Sequence, residues 1–281
     1  MDAILRDATP GGDTFAANRA TGKIVLAVDA TRGITRRARV HETGSLRVRF
    51  PNGHGSRALD AVIVNTAGGM TGGDRFEIAV DVGPEAALSV TTVAAEKVYR
   101  SIGPDTEVGV RISVGERGAL AWLPQETILF DRLRLRRTIE IDVAADGHLV
   151  LAEAIVFGRA AMGEVVRHGY LFDRRRVRVA GALVFAETFG LEGAIAQRLA
   201  DTAIAAGGAA VASVLRFPGD DGLASAAREM QQGFSGEVGI SCWNGLAVAR
   251  LVARDGATLR RDLVTLLGAW GADPLPRLWV N

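Results

Sequence analysis

The sequence predicts a mainly β protein: a stacked-sheet, β-helix-like sandwich with two or three α-helices flanking it toward the C-terminal third. Three observations carry this reading. Apolar side chains alternate with polar ones from Lys23 to about Phe189, a strand-turn-strand unit recurs at near-constant spacing, and after Gly190 helical spacing appears between short strands.

The stretch up to Gly22 is rich in Gly, Asp, Ala and Thr without a sustained apolar period, and residues 1–22 are expected to form a loosely ordered arm. Strict alternation then marks half-buried strands, because successive side chains point to opposite faces of a sheet. It runs through Ile24, Leu26 and Val28; Leu46, Val48 and Phe50; Phe76, Ile78, Val80 and Val82; and Val108, Val110, Ile112 and Val114. Glycine, proline and aspartate punctuate these runs, as turns require.

The repeat lies within that region. Val82 and Leu88 in DVGPEAALSV, Val114 and Leu120 in SVGERGALAW, and Val143 and Leu149 in DVAADGHLVL each bracket a turn at a six-residue interval. Val177 and Leu183 in RVRVAGALVF form a weaker fourth copy, so successive valines lie 32, 29 and 34 residues apart. A unit so short cannot bury its own apolar face, so neighbouring units must stack. Beyond Gly190, Glu192 to Ile204, Gly222 to Gln232 and Thr258 to Trp270 are expected as helices, the second with Asp220 and Asp221 at its positive dipole end. Ala210 to Phe217, Glu237 to Trp243 and Leu246 to Val252 are expected as strands, and the apolar tail PLPRLWVN as a segment docked on the body or held by a partner.

Composition narrows the function. Charged residues make up 23% of the 281 positions and apolar ones 48%, an ordinary globular balance that excludes disorder. Thirty-three basic and 32 acidic side chains leave a net charge of +1, which supplies no global field for nucleic acid or an anionic membrane. Cys242 is the one cysteine, and His41, His54, His148 and His168 are scattered, so no short-range metal spacing exists. The longest uncharged apolar-rich run, Thr202 to Leu215, has 14 residues and two glycines, short of a membrane span. Asp2 and Asp7 stand where a secretory leader would be basic, and the expected compartment is the cytoplasm.

Four segments could carry chemistry. NTAGGMTGGD, Asn65 to Asp74, has the glycine density of an anion cradle but neither a Walker ending nor a dinucleotide fingerprint, and reads first as a tight turn. TTVAAEKVYRS crowds Glu96, Lys97, Tyr99 and Arg100, and Lys97 is one of only two lysines. Glu96, Glu126, Glu153 and Glu187 follow the repeat leucines at even offsets of eight, six, four and four, which on straight strands turns them inward. A buried carboxylate needs a cation or water. Lys97, Arg100, Arg132 and Arg159 are the candidate partners, giving internal ion pairs or an oxygen-lined path for a divalent cation. The arginines of Arg132 to Arg137 and Arg174 to Arg178 alternate with aliphatics, most simply as a wet strand face.

NTAGGMTGGD, VTTVAAEKVYRS, WLPQETILFDRLRLRR and EAIVFGRAAMGE, in this order and spacing, resemble the urease accessory protein UreD (UreH) family, from about Gly33 through LPRLW. The resemblance implies one domain spanning residues 1–281 and a non-catalytic chaperone for urease maturation. It further implies assembly with a UreF-type accessory protein, a nickel-carrying UreG-type GTPase and the urease apoprotein, with nickel as transported ion and no tightly bound cofactor. Neither nucleic acid nor membrane is an expected partner, and any metal contact is a transient nickel passage. Position by position it points to Asp74, Glu96, Lys97, Tyr99, Glu126, Asp131, Glu153, Arg159 and Glu164 as tunnel-lining or docking residues, none of them catalytic. Two other readings compete: a β-helical hydrolase or lyase using paired carboxylates such as Glu96 and Glu126 across an open groove, and a generic β-rich interaction module.

Overall fold

A computed structural model describes residues 19–51, 58–159, 162–271 and 275–280. The chain begins with strands β1 (Thr21–Thr31), β2 (Ile34–Gly44), β3 (Leu46–Arg49), β4 (Leu59–Asn65), β5 (Arg75–Val82), β6 (Ala87–Thr92) and β7 (Glu96–Val98). It continues through β8 (Thr106–Val114), β9 (Ala119–Trp122), β10 (Thr127–Leu129), β11 (Leu133–Val143), β12 (His148–Phe157), β13 (Gly169–Val179) and β14 (Ala182–Gly193). The last part holds α1 (Ile195–Ala200), β15 (Ala210–Phe217), α2 (Asp221–Glu229), β16 (Glu237–Trp243), β17 (Leu246–Ala253) and α3 (Gly256–Ala269). One sheet runs β14-β13-β11-β8-β5-β1-β2, and the facing sheet β16-β17-β15-β12-β9-β6-β4-β3, with β10 attached to β12 and β7 to β10.

The mainly β, stacked architecture expected from the repeat is the one observed, and the repeat residues build it directly. Val82, Val114 and Val143 are register partners in the first sheet, while Leu88, Leu120 and Leu149 are partners in the second. Each unit crosses from one sheet to the other through a turn stacked on its neighbour: Gly115 N donates to Val82 O and Ala144 N to Val114 O, both at 2.8 Å. The inward valines and leucines of successive rungs lie one strand spacing apart, so a single apolar core fills the space between the sheets.

The fourth copy departs from this plan. β13 still stacks in parallel on β11, pairing Val177 with Ile141. Ala180 and Gly181, at φ 47° and 81°, then form a two-residue turn that sends β14 back antiparallel within the same sheet, leaving Leu183 50% exposed. Positive φ at both central positions matches the twist of a hairpin, whereas the longer turns of the true rungs cross between sheets. The second sheet is continued instead by β15 and β17, antiparallel to their neighbours.

The first expected helix is also shorter than its pattern. Phe185 and Leu191 keep the period-two inward face through Gly193, so α1 occupies only Ile195–Ala200 and buries Ile195 and Leu199. The rest of the expected helix, Asp201 to Ile204, lies in a bend and turn. Asp220 caps α2 by accepting from Leu223 N at 2.8 Å, and Asp255 caps α3 from Thr258 N at 2.7 Å, which starts that helix before Thr258. β15 and β16 have the bounds read from the sequence, and β17 extends one residue further, to Ala253.

α3 covers the outer face of the second sheet. Leu259, Leu263, Leu266, Leu267 and Trp270 bury against Val150, Ala152, Ala154, Ala212, Ala247 and Ala249, whose small side chains let the helix approach closely. β12 is therefore covered on both faces, which accounts for its nearly continuous apolar run. The tail is docked on the body: Trp279 is buried and its Nε1 donates to Leu123 O at 2.9 Å. At the N-terminus order already holds at Thr21, where β1 starts, two residues before the expected onset, because Asp74 Oδ1 accepts from Ala20 N at 2.9 Å. The remainder of the expected arm, residues 1–18, lies outside the described residues. No helix among the described residues is long and apolar enough to cross a membrane.

Candidate functional site

A cavity of about 80 Å³ lies between the two sheets. Its walls are mostly core side chains such as Leu46, Ile63, Phe76 and Val90, but polar groups enter it at two places. Asn65 and Glu96 stand at one, where Asn65 Nδ2 donates to Glu96 Oε2 at 3.2 Å. Thr127, Arg137 and Glu153 stand at the other. Such a space has room for several waters and polar partners to hold them.

From the second place a chain of alternating charges runs onward between the sheets. Arg137 Nη1 is 2.7 Å from Glu153 Oε2, and its Nη2 is 2.6 Å from Asp173 Oδ2. Arg175 Nη2 meets the same Asp173 Oδ2 at 2.5 Å, and its Nη1 lies 3.4 Å from Glu187 Oε2. Arg250, 54% exposed, closes the series at the surface with Nη2 2.8 Å from Glu187 Oε1. Trp122 Nε1 donates to Glu153 Oε1 at 2.8 Å and Ser213 Oγ to Glu187 Oε2 at 3.3 Å. Register explains the sequence of contacts: Arg137 opposes Asp173, Arg175 opposes Glu187, Glu153 opposes Ser213, and Ser213 opposes Arg250.

The charges are held by one another. Burial favours the neutral form of Arg137, but Asp173 and Glu153 outweigh it and keep the guanidinium above its ordinary pKa. Burial likewise pushes Asp173 up, and Arg137 with Arg175 overrides that and holds its carboxyl well below the usual range. Glu96 has no such partner within the cavity: burial raises its carboxyl, opposed only by the Asn65 hydrogen bond and the charge of Lys97. The interior thus offers one soft acid near the Asn65 end and a locked ionic lattice beyond the other.

The remaining residues named from the sequence do different work. Asp74 pins the glycine loop, its Oδ2 accepting from Thr71 N at 2.8 Å. The loop's amides of Gly68, Met70, Gly73 and Asp74 donate to Asn65 O, Lys97 O, Asp105 O and Thr71 O, so these four are committed within a structural turn. Gly69 has φ +151°, and a Cβ there would fall 2.4 Å from the Tyr99 ring. Tyr99 packs 4.7 Å from Phe130, over which Arg159 lies at 4.4 Å while its Nε meets Glu164 Oε2 at 2.6 Å. Asp131 Oδ1 accepts from the amides of Arg167 and His168 at 2.7 and 2.9 Å. Burial raises Asp131, and these amides with that of Arg132 overcome it and lower its carboxyl. Lys97 points outward and is exposed.

Two expectations about the carboxylates are corrected. Glu126 does not join the interior set, because the strand is interrupted between Trp122 of β9 and Thr127 of β10 and the parity of Leu120 does not carry across; its Oε1 instead lies 2.9 Å from Arg260 Nη1 of α3. Glu96 and Glu126 therefore do not face each other across a groove. The cations of the interior are Arg137 and Arg175, with Arg250 at its edge, and not Lys97, Arg100, Arg132 or Arg159. Reading the arginine runs as a wet face missed these residues, though parity marks them. Leu133, Leu135, Ile139, Ile141 and Val143 set the inward face of β11 and include Arg137; Leu171, Val177 and Val179 set that of β13 and include Asp173 and Arg175.

A pile of β rungs whose buried charges are paired with one another beside a small internal cavity defines a scaffold-like body. Among the described residues, no three His, Cys, Asp or Glu side chains gather closely enough to hold a metal ion. That class narrows to one family. A family model described as "UreD urease accessory protein" matches residues 20–280. The chain is 52% identical to the urease accessory protein UreD of Rhodopseudomonas palustris over 268 residues, covering 95% of this chain and 96% of that one. It is 49% identical over 274 residues to the urease accessory protein UreD 3 of a Bradyrhizobium species, covering 98% of each, and 50% identical to UreD of Bradyrhizobium diazoefficiens over 267 residues, covering 95% and 96%. The chain belongs to the UreD urease accessory protein family, and its role at this level is that of a urease accessory protein.

Proposed function

We propose that this chain docks a nickel-carrying accessory complex on the urease apoprotein in the cytoplasm and lets nickel pass through its interior toward the enzyme's active site. The partners in this reading are a UreF-type protein, a UreG-type GTPase and apo-urease; nickel is cargo, with no cofactor resident. The observation that carries it is the cavity between the sheets, whose mostly apolar wall is entered by polar groups at Asn65 and Glu96 and again at Arg137 and Glu153. Oxygen donors suit a borderline divalent cation in transit, whereas a thiolate or imidazole cluster would hold it.

Docking is supported by an exposed edge. The turns around Tyr99 to Asp105, Phe130 to Arg132 and Val165 to His168 stack on one another, with Ser101 N donating to Arg132 O and Arg132 N to His168 O. Ile102, Met162 and Val165 expose 87%, 72% and 53% of their surface there, beside Tyr99, Arg159 and Glu164. An apolar group rimmed by charge is the surface a protein partner covers.

The test is urease activation in cells lacking this chain, restored with variants. Val90→Phe fills the cavity, and Glu96→Ala and Glu153→Ala remove its carboxylates. Loss of activation with urease binding intact is the expected result; full activation by Val90→Phe in a folded chain would refute passage through this cavity, and full activation without any copy would refute the maturation role.

A further inference from the structure

Every oxygen facing the Arg137 guanidinium is one that a divalent cation would also choose. Glu153 Oε2 lies 2.7 Å from Nη1, Asp173 Oδ2 2.6 Å from Nη2, Asp173 Oδ1 3.1 Å from Nε, and Thr127 Oγ1 3.4 Å from Nη1. These donors come from β12, β13 and β10, so three separate strands converge on one volume at the end of the cavity. We infer that Arg137 is a built-in stand-in for the cargo ion: it fills the place between Glu153 and Asp173 and so keeps the passage from becoming a metal trap. The inference rests on the conduit reading above and names what prevents the conduit from retaining its ion.

The charge count explains why. Glu153, Asp173 and Glu187 carry three negative charges, and Arg137, Arg175 and Arg250 three positive ones, in contact order. This set is neutral, so a dication added to it meets no net attraction and must displace a guanidinium to reach two carboxylates. Without Arg137 the same set carries one negative charge, and Glu153 and Asp173 each retain an oxygen free of Trp122 and Arg175. Metal–oxygen bonds of about 2.0–2.2 Å are shorter than the nitrogen–oxygen contacts now present, so the two carboxylates would close in on an ion placed between them.

The test uses the full-length chain with nickel chloride in equilibrium dialysis and thermal melts. Arg137→Met is expected to retain nickel at roughly one ion per chain and to melt higher with nickel than without, by linkage. The natural chain and Arg137→Lys are expected to retain none and show no shift, and adding Glu153→Gln to Arg137→Met is expected to abolish retention. Equal retention by the natural chain and Arg137→Met, or retention that survives Glu153→Gln, overturns the inference. If Arg137→Met folds only when produced with nickel, the inference is supported; if it is recovered in neither condition, Arg137→Gln decides, a folded chain without nickel retention or a second failure to recover in either condition counting against it. The conduit reading fails separately: full activation by Val90→Phe removes the conduit, and a nickel-holding Arg137→Met then shows only that Arg137 fills a place its carboxylates can give to a metal ion, while a blocked Val90→Phe with no retention by Arg137→Met removes the stand-in alone.

Discussion

Asp173→Asn should be among the most damaging single substitutions in the interior. The carboxylate is fully buried and touches both Arg137 and Arg175, with contacts of 2.6 and 2.5 Å. An amide of the same shape leaves two buried guanidiniums sharing too few anions. Breaking a buried pair by removing one partner costs about 3–5 kcal/mol. At about 2.1 cal/mol/K per residue, unfolding 281 residues carries about 0.6 kcal/mol/K, so that cost lowers Tm by about 5–8 °C. Removing charge in a balanced way should behave differently. Arg137→Met with Glu153→Leu leaves Asp173, Arg175, Glu187 and Arg250 paired among themselves, and replacing a whole buried pair by apolar side chains is neutral or stabilising by about 1–4 kcal/mol. Calorimetric melts at neutral pH measure both. A Tm for Asp173→Asn within about 1 °C of the natural chain, or a balanced double variant as damaged as the single one, would refute the account of this lattice.

Trp279→Ala empties a buried site and orphans Leu123 O, costing about 3–5 kcal/mol and exposing the tail to trypsin after Arg277; an uncleaved tail would count against docking through Trp279. Gly69→Ala forces a side chain into φ +151° and into the Tyr99 ring, costing more than about 1 kcal/mol; with only two tyrosines in the chain, the displaced ring should be visible by NMR. The pH dependence has two opposite parts. Asp173, with its folded pKa depressed, contributes stability that is present above its unfolded value of 3.8 and lost as pH falls through the folded value. Glu96, with its folded pKa raised, contributes stability that is present below 4.5 and lost as pH rises through the folded value, so Glu96→Gln should raise Tm at neutral pH and leave it unchanged in acid.

The rungs were legible because each repeats the same local instruction: an alternating strand, a turn, a leucine on the next sheet. Val82, Val114 and Val143 needed only to be aligned. The hairpin at Ala180 and Gly181 was less visible, since RVRVAGALVF keeps the six-residue interval while its turn is too short to change sheets. Glu153 and Glu187 could be turned inward by parity, yet Glu126 could not be removed from that set without knowing that the strand is interrupted between Trp122 and Thr127. The cations were the harder part. Proximity in sequence favoured Arg132 and Arg159, whereas partners in a stacked sheet lie one rung away, as Arg137 does from Asp173, 36 residues along the chain.

The turn at Ala180 and Gly181 also acts as a counter. It is where the chain stops adding storeys and folds back, and every storey before it consumes about 30 residues and extends the two sheets and the core between them by one strand width. A whole storey inserted on the β5 side of β11 leaves the register of β11 with β13 untouched, whereas a one-residue insertion within β11 would turn Arg137 out of line with Asp173 on the next rung.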